Sequence, residues 1–244
     1  MHSKQLIIFF EYIGGRKNES LKILMGNPFS TDNTFFELWG YSLSYLEFFG
    51  VISGIIAVWL SARAHVWSWP IGLINVTLSF FLFYQVQLYP DMFLQVFFFV
   101  TNLIGWWRWL NPAKGEEDKK DELKVSWMDR RQLIIITGIG IAGTIAFGLF
   151  ASRLHDFFPM IFTKPSASPF WDSFITVMSI VATYYMIQKK IECWLIWIAI
   201  DIVATVLYFI RDIKFYSLLY LVLTILAAFG FYHWRREYKS YQKA

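Results

Sequence analysis

One cysteine, four histidines and a charged fraction of only 16% deny this 244-residue chain the raw material of several protein classes. The lone Cys193 excludes an internal disulfide framework and any cysteine-rich zinc site. His2, His65, His155 and His233 fall at segment ends or in loops, so no buried nucleophile and base stand together as an intramembrane hydrolase requires. A retinal protein is excluded too, because Lys214 and Lys239 flank the last hydrophobic segment and no lysine lies inside it. Nor does the start read as a secretory signal: the run Leu6 to Phe10 is too short for a signal core and is followed by Glu11, Arg16 and Lys17.

What is abundant is apolar surface. Hydrophobic residues make up 57% of the chain and aromatics 20%, a composition foreign to soluble domains. The net charge of +4 does not point to nucleic acid, because the basic residues lie in short segments between apolar stretches. A spanning helix needs about 20 mostly apolar residues. Seven such stretches are predicted: Tyr45–Ala62, Val66–Tyr84, Met92–Trp107, Gln132–Ser152, Asp172–Gln188, Cys193–Ile210 and Phe215–His233. Trp67, Trp69, Trp106, Trp107, Trp109, Trp171 and Trp234 lie near their ends, where indoles favour the headgroup layer.

Ahead of the first span is a tail, residues 1–44, in which Phe35, Phe36, Leu38, Trp39, Tyr41 and Leu43 mix with polar residues; this reads as an interfacial amphipathic helix or a helical extension. Asn111 to Asp129, with Pro112, Gly115 and dense mixed charge, reads as a solvated loop. The expected organisation is therefore a first three-helix unit (45–110), a charged loop (111–131), a linker helix (132–152), a second three-helix unit (171–234) and a basic tail (235–244). Counting lysine and arginine in alternate loops gives fourteen on the C-terminal side, which predicts an external N-terminus and a cytoplasmic C-terminus.

The two three-helix units look alike. Glu47 corresponds to Asp172, Gln95 to Tyr220 and Gly105 to Gly230 at a separation of 125, with Asn75 and Asp201 at 126. Two such units joined directly would face opposite ways, and the fourth helix restores a common orientation. The expected fold is an all-α integral membrane protein with seven transmembrane helices in a 3+1+3 arrangement, two parallel repeats joined by an inverting helix, similar in plan to the SWEET sugar transporters. That plan places a substrate site between the repeats near the midplane.

Asp201 lies midway along the sixth span, where a carboxylate costs about 2.5–3.5 kcal/mol even on insertion scales. On its helical face are Trp194, Trp197, Thr205 and Tyr208. Two indoles and an acid suit a flat, polar or cationic ring; the competing reading makes the tryptophans packing and Asp201 a partner of a neighbouring helix. Asn75, Gln95, Asn102, Tyr220 and Thr224 complete the candidate substrate-binding set, each with interhelical hydrogen bonding as its alternative.

The pattern Trp194-x-x-Trp197-x-x-x-Asp201, the run Leu88-Tyr89-Pro90-Asp91 before the third span and the ending Gly105-Trp106-Trp107-Arg108-Trp109 resemble the PnuC nicotinamide riboside transporters. The resemblance runs from about Glu47 to Trp234. It implies uptake of nicotinamide riboside by facilitated diffusion through the bacterial inner membrane, with no cofactor, no metal and no enzymatic activity. It also implies trapping by a cytoplasmic riboside kinase. Thiamine, riboflavin or a sugar are the alternative cargoes, a sensor without transport is the alternative class, and a homo-oligomer is left open. The charge bias predicts that a reporter fused after Ala244 is active in the cytoplasm and that the Asn111–Asp129 loop labels only from inside; labelling of that loop from outside would reverse the topology.

Overall fold

Ser44 starts the first helix. Its hydroxyl accepts from the Glu47 backbone N–H at 3.2 Å while its own N–H donates to the Glu47 carboxylate at 2.9 Å, which satisfies two donors that a helix start leaves open. The computed structural model describes residues 34–38, 41–85, 89–118, 120–157 and 168–243. The tail through residue 33, Trp39, Leu88 and Lys164 lie outside the described residues. From the capping box onward the described residues form helices α1 (Tyr45–Ala62), α2 (Ser68–Gln85), α3 (Tyr89–Leu110), α4 (Arg130–Ser152), the short α5 (Leu154–Phe157), α6 (Pro169–Ile187), α7 (Glu192–Ile210) and α8 (Lys214–Tyr241). Asp129 caps α4 by accepting from the Arg131 N–H at 3.2 Å, and Pro169 opens α6 at a position whose N–H has no helical partner.

Five of these helices, α1, α4, α6, α7 and α8, are long and apolar enough to cross a membrane. Asn75, Thr77, Ser79 and Gln85 lower the hydropathy of α2, as Gln95, Thr101, Asn102 and Arg108 lower that of α3. The outward faces are apolar: Phe93, Ile134, Ile141, Phe209, Ile210 and Ile225 are among the large exposed side chains.

Two sequence expectations are corrected. Upstream of Ser44 the chain is not helical but pairs strands β1 (Thr34–Leu38) and β2 (Tyr41–Ser44) antiparallel, with Phe36 opposite Leu43 and Leu38 opposite Tyr41. The capping box stops α1 from extending backwards, and the Phe35 ring is held 4.7 Å from Tyr45 and 4.6 Å from Phe48. The 111–129 segment is not simply solvated. Leu123, Val125 and Met128 are buried, the Ser126 N–H donates to the Lys189 carbonyl at 3.2 Å, and the Ile191 N–H donates back to Ser126 at 3.0 Å. Lys114, Lys120 and Asp121 are exposed, whereas Glu122 turns toward Lys189 and Leu123, Val125 and Met128 face the helix ends, so composition alone concealed the docking.

Within each half, α1 packs on α2 and α2 on α3, as α6 packs on α7 and α7 on α8; between halves, α8 meets α1 and α3 meets α6, with α4 on the flank of α6. Corresponding contacts recur at a separation of 125. The Trp69 and Trp109 rings meet edge-on at 5.2 Å and 87°, and Trp194 and Trp234 at 5.4 Å and 89°. Trp109 Nε1 donates to the Met186 carbonyl at 3.1 Å, and Trp234 Nε1 to the Ser61 carbonyl at 2.9 Å. Trp109 and Trp234 touch at 6.0 Å, closing a quartet. The turns after α1 and α6 also match: Ala64 and Lys189 both take the left-handed conformation at φ 53°, where a side chain costs about 1–3 kcal/mol.

Glycine lets the indoles in. A Cβ on Gly105 would enter the Trp69 ring, and one on Gly230 would lie 2.6 Å from the Trp194 ring. Gly230→Ala is therefore expected to destabilise by about 1–3 kcal/mol through overpacking. Gly138→Ala on α4, where a Cβ meets nothing within 4 Å, should be neutral or stabilise by up to about 1 kcal/mol. Thermal unfolding of the two variants in detergent checks the contrast; equal melting temperatures would mean that the glycine contact is slack.

Candidate functional site

Helix α7 carries the most unusual chemistry. Asp201 stands midway along it and is 5% exposed. The other helix-borne acids among the described residues stand near helix ends: Glu47 in its capping box, Asp172 in an ion pair with Arg211 at 3.0 Å, Glu192 against the Met128 N–H at 2.9 Å. Asp201 has no ion pair among the described residues, and its helix neighbour Thr205 bonds the Asp201 backbone carbonyl at 2.7 Å rather than the carboxylate. An acid held there without a cation presents acceptors to whatever enters the space beside it.

Of the two indoles on this face, Trp197 is half-buried and packs at the edge of the core, whereas Trp194 is 1% exposed with its ring against Gly230 and Trp234. The Trp194 ring thus belongs to the quartet, although its buried Nε1 has no hydrogen-bond partner among the described residues. Trp69, its counterpart in the first half, shares that feature.

The first-half residues are tied mainly to their own surroundings. Asn75 Nδ2 donates to the Gly50 carbonyl of α1 at 2.8 Å, an interhelical bond. Asn102 Nδ2 donates to the Phe98 carbonyl of its own helix at 2.8 Å, with its Oδ1 against Gly72. Gln95 is half-buried on α3. Among the described residues no hydrogen bond joins Asn75 or Asn102 to Asp201. On α8, Thr224 bonds the Tyr220 carbonyl at 2.9 Å. Tyr220 itself is brought onto Tyr208, the rings parallel within 7° at 5.4 Å, and Tyr216 also stacks against Tyr208, at 5.7 Å and 30°. The hydroxyls of Thr176, Ser179 and Thr183 on α6 each bond their own helix backbone.

The register of the repeat is 125 throughout the quartet and the turns, one less than the separation that pairs Asn75 with Asp201. At 125 Asp201 falls opposite Val76, both buried, and Asn75 opposite Ile200. Gly72 and Asn102 correspond to Trp197 and Ala227, so the large and small partners exchange helices between the halves. The chemistry of the two halves is therefore unequal where their backbones agree.

Sequence reasoning missed Lys189. It is fully buried, its ammonium 4.4 Å over the Trp109 ring and 3.9 Å from Glu122. Burial pushes its pKa below the usual lysine range. Its counterpart is Ala64, so the lysine is peculiar to the second half, where the 111–129 segment supplies the acid. The turn residue's charge was visible, but nothing in the sequence signalled its burial.

Comparison with known proteins follows the same lines. Residues 44–236 match the family model for the nicotinamide mononucleotide transporter. The nicotinamide riboside transporter PnuC of Escherichia coli (strain K12) is 31% identical over 210 residues, covering 80% of this chain and 87% of that protein. The riboflavin/roseoflavin transporter RibM of Streptomyces davaonensis is 26% identical over 200 residues, covering 82% of this chain and 88% of that protein. The crystal structure of the vitamin B3 transporter PnuC superposes with a TM-score of 0.62 at 23% identity, covering 80% of this chain and 83% of that one, which shows a shared fold.

Proposed function

The chain belongs to the nicotinamide mononucleotide transporter family, and on that footing we propose that it carries nicotinamide riboside across the bacterial inner membrane by facilitated diffusion. The observation that carries the reading is Asp201, a buried carboxylate midway along α7 without an ion pair among the described residues, one turn from Trp197. The cargo's pyridinium ring is flat and cationic, suited to an indole face. Its ribose hydroxyls suit the carboxylate, and its carboxamide suits Gln95, Asn102 or the unpaired Trp194 N–H. The tyrosine stack of Tyr208, Tyr216 and Tyr220 lines the approach from the opposite end. A cytoplasmic kinase would trap the product, and riboflavin is the second cargo to test, since a riboflavin transporter is among the relatives.

The transport proposed uses seven spans in a 3+1+3 order, with α4 as the inverting helix and the N-terminus outside. Its support is the recurrence of indole contacts, carbonyl acceptors and left-handed turns at a separation of 125. In this arrangement the quartet closes one end of the path between the halves, and opening that end breaks both Trp109–Met186 and Trp234–Ser61 hydrogen bonds.

Trp197→Ala and Asp201→Asn should each weaken riboside binding by about tenfold or more, since a hydrogen bond to a charged acceptor contributes about 1.5–3 kcal/mol and 1.4 kcal/mol is one decade. Titration calorimetry on the folded variants reads this, and unchanged affinity in both would move the site elsewhere. Uptake into vesicles holding only this protein should stop at equilibrium; accumulation driven by a proton or sodium gradient would refute facilitated diffusion.

A second expectation concerns the closed end. Cys193 is buried beside the quartet and serves as a native reporter of opening. Trp234→Phe removes one indole bond of about 0.5–1.5 kcal/mol and should speed maleimide labelling of Cys193 roughly 2- to 10-fold. An unchanged labelling rate would show that these bonds do not hold the end shut.

A further inference from the structure

At the loop end of the molecule a cavity of about 250 Å³ opens between α4 and α6. Gln132 and Ile136 of α4, Tyr184 and Tyr185 of α6, and Gln188 and Lys190 of the following turn line it. Tyr185 is 2% exposed, and its hydroxyl is buried without a hydrogen-bond partner among the described residues. A buried hydroxyl left unpaired in a polar cavity marks a place where a further acceptor belongs.

Glu116 and Lys190 are the charged residues that border the cavity, and the Glu116 carboxylate is bound by Arg108, which leaves the Lys190 ammonium as the cation turned to it. Lys190 gives one of its three ammonium protons to Ser126 Oγ at 2.9 Å and keeps two donors. Gln132 is the third residue of α4, so the positive end of that helix adds to the lysine. Arg130 and Arg131 stand exposed on the same turn, opposed by the one capping carboxylate of Asp129. The faces that continue from the cavity toward mid-membrane are apolar and exposed: Ile139 on α4, two turns beyond Gln132, and Ile180 on α6, one turn before Tyr184.

From this combination we propose that the cavity binds the headgroup of an anionic phospholipid, with the phosphate met by Lys190, the Tyr185 hydroxyl and the side-chain amides of Gln132 and Gln188, while the acyl chains run down the apolar faces of α4 and α6. A cationic cleft between helices at the headgroup level is what such lipids select, and the exposed track beyond it is what a free anion would leave uncovered. Because Glu116 and Ser126 belong to the docked segment, the bound lipid also braces that segment against the helix ends.

The test is the melting temperature of the full chain in nanodiscs of phosphatidylcholine alone and of phosphatidylcholine mixed with phosphatidylglycerol. Wild type should melt several degrees higher in the mixed discs, and Tyr185→Phe, which removes only the hydroxyl, and Lys190→Gln should each lose more than half of that rise. Inorganic phosphate and glycerol phosphate added to the phosphatidylcholine discs should produce no rise. A rise of equal size in both variants, or no rise in wild type, overturns the proposal, and a full rise with phosphate alone replaces the lipid with a soluble anion. Riboside affinity should stay unchanged in both variants, which keeps this outcome separate from that of the transport site.

Discussion

Two indole N–H groups cross in opposite directions between the halves of this molecule, from Trp109 to Met186 and from Trp234 to Ser61. Each reaches the last turn of the other half's first helix, where the acceptor carbonyl already takes the N–H of the left-handed turn residue, Lys189 on Met186 and Ala64 on Ser61, and gives its second lone pair to the indole. The rest of the architecture is arranged around that exchange. Gly105 and Gly230 admit the neighbouring rings, the left-handed residues Ala64 and Lys189 turn the chain tightly enough to present the carbonyls, and α8 and α3 are brought against α1 and α6. Each bond alone is worth little, about 0.5–1.5 kcal/mol. Their worth lies in fixing how the halves meet.

Where the second half departs from the first, the departure is chemical. The same turn carries Ala64 in one half and buried Lys189 in the other, and a lysine at that place requires an acid and an aromatic face. The 111–129 segment contributes Glu122 and α3 contributes the Trp109 ring. Removing the segment would leave an ammonium with poor company, which explains why a stretch so rich in charge is nonetheless folded against the helix ends. A similar inequality separates Asp201 from Val76: one backbone position, buried in both halves, with an acid only in the second.

Hydrophobic length made the helices legible in the sequence, because lipid-facing surface has to be apolar on every side, and the described helices follow the expected segments from Tyr45 to His233, beyond which α8 continues to Tyr241 through residues expected as a basic tail. The repeat was legible from Gly105 and Gly230, which survive as close contacts. Its register was less so: polar residues at Asn75 and Asp201 suggested one offset, and the tryptophans fix another, since side chains that bind ligand or a neighbouring helix need not keep the step that packed indoles must. The paired strands before α1 were missed because Phe35 and Leu38 suit an interfacial helix as well as a sheet, and only the Ser44–Glu47 cap decides. Trp194 shows the same limit within the site. Its spacing to Asp201 puts both on one helical face, but spacing does not reveal that its ring lies under Gly230.

The crossed indole bonds also have a temporal side. Trp109 is separated by 77 residues from the carbonyl it binds, so at about 5–20 residues per second the ribosome needs roughly 4–15 s to deliver its acceptor. Trp234 waits for nothing, because Ser61 was made 173 residues earlier. During that interval the first half stands with one indole donor open, at a helix end, and with the Ser61 carbonyl holding only the Ala64 N–H. An indole is at home in the headgroup layer, so the waiting half is not stranded as it would be with an open amide in the hydrocarbon. The order of synthesis thus favours a sequential zipper, first half parked at the interface, second half arriving to close both bonds.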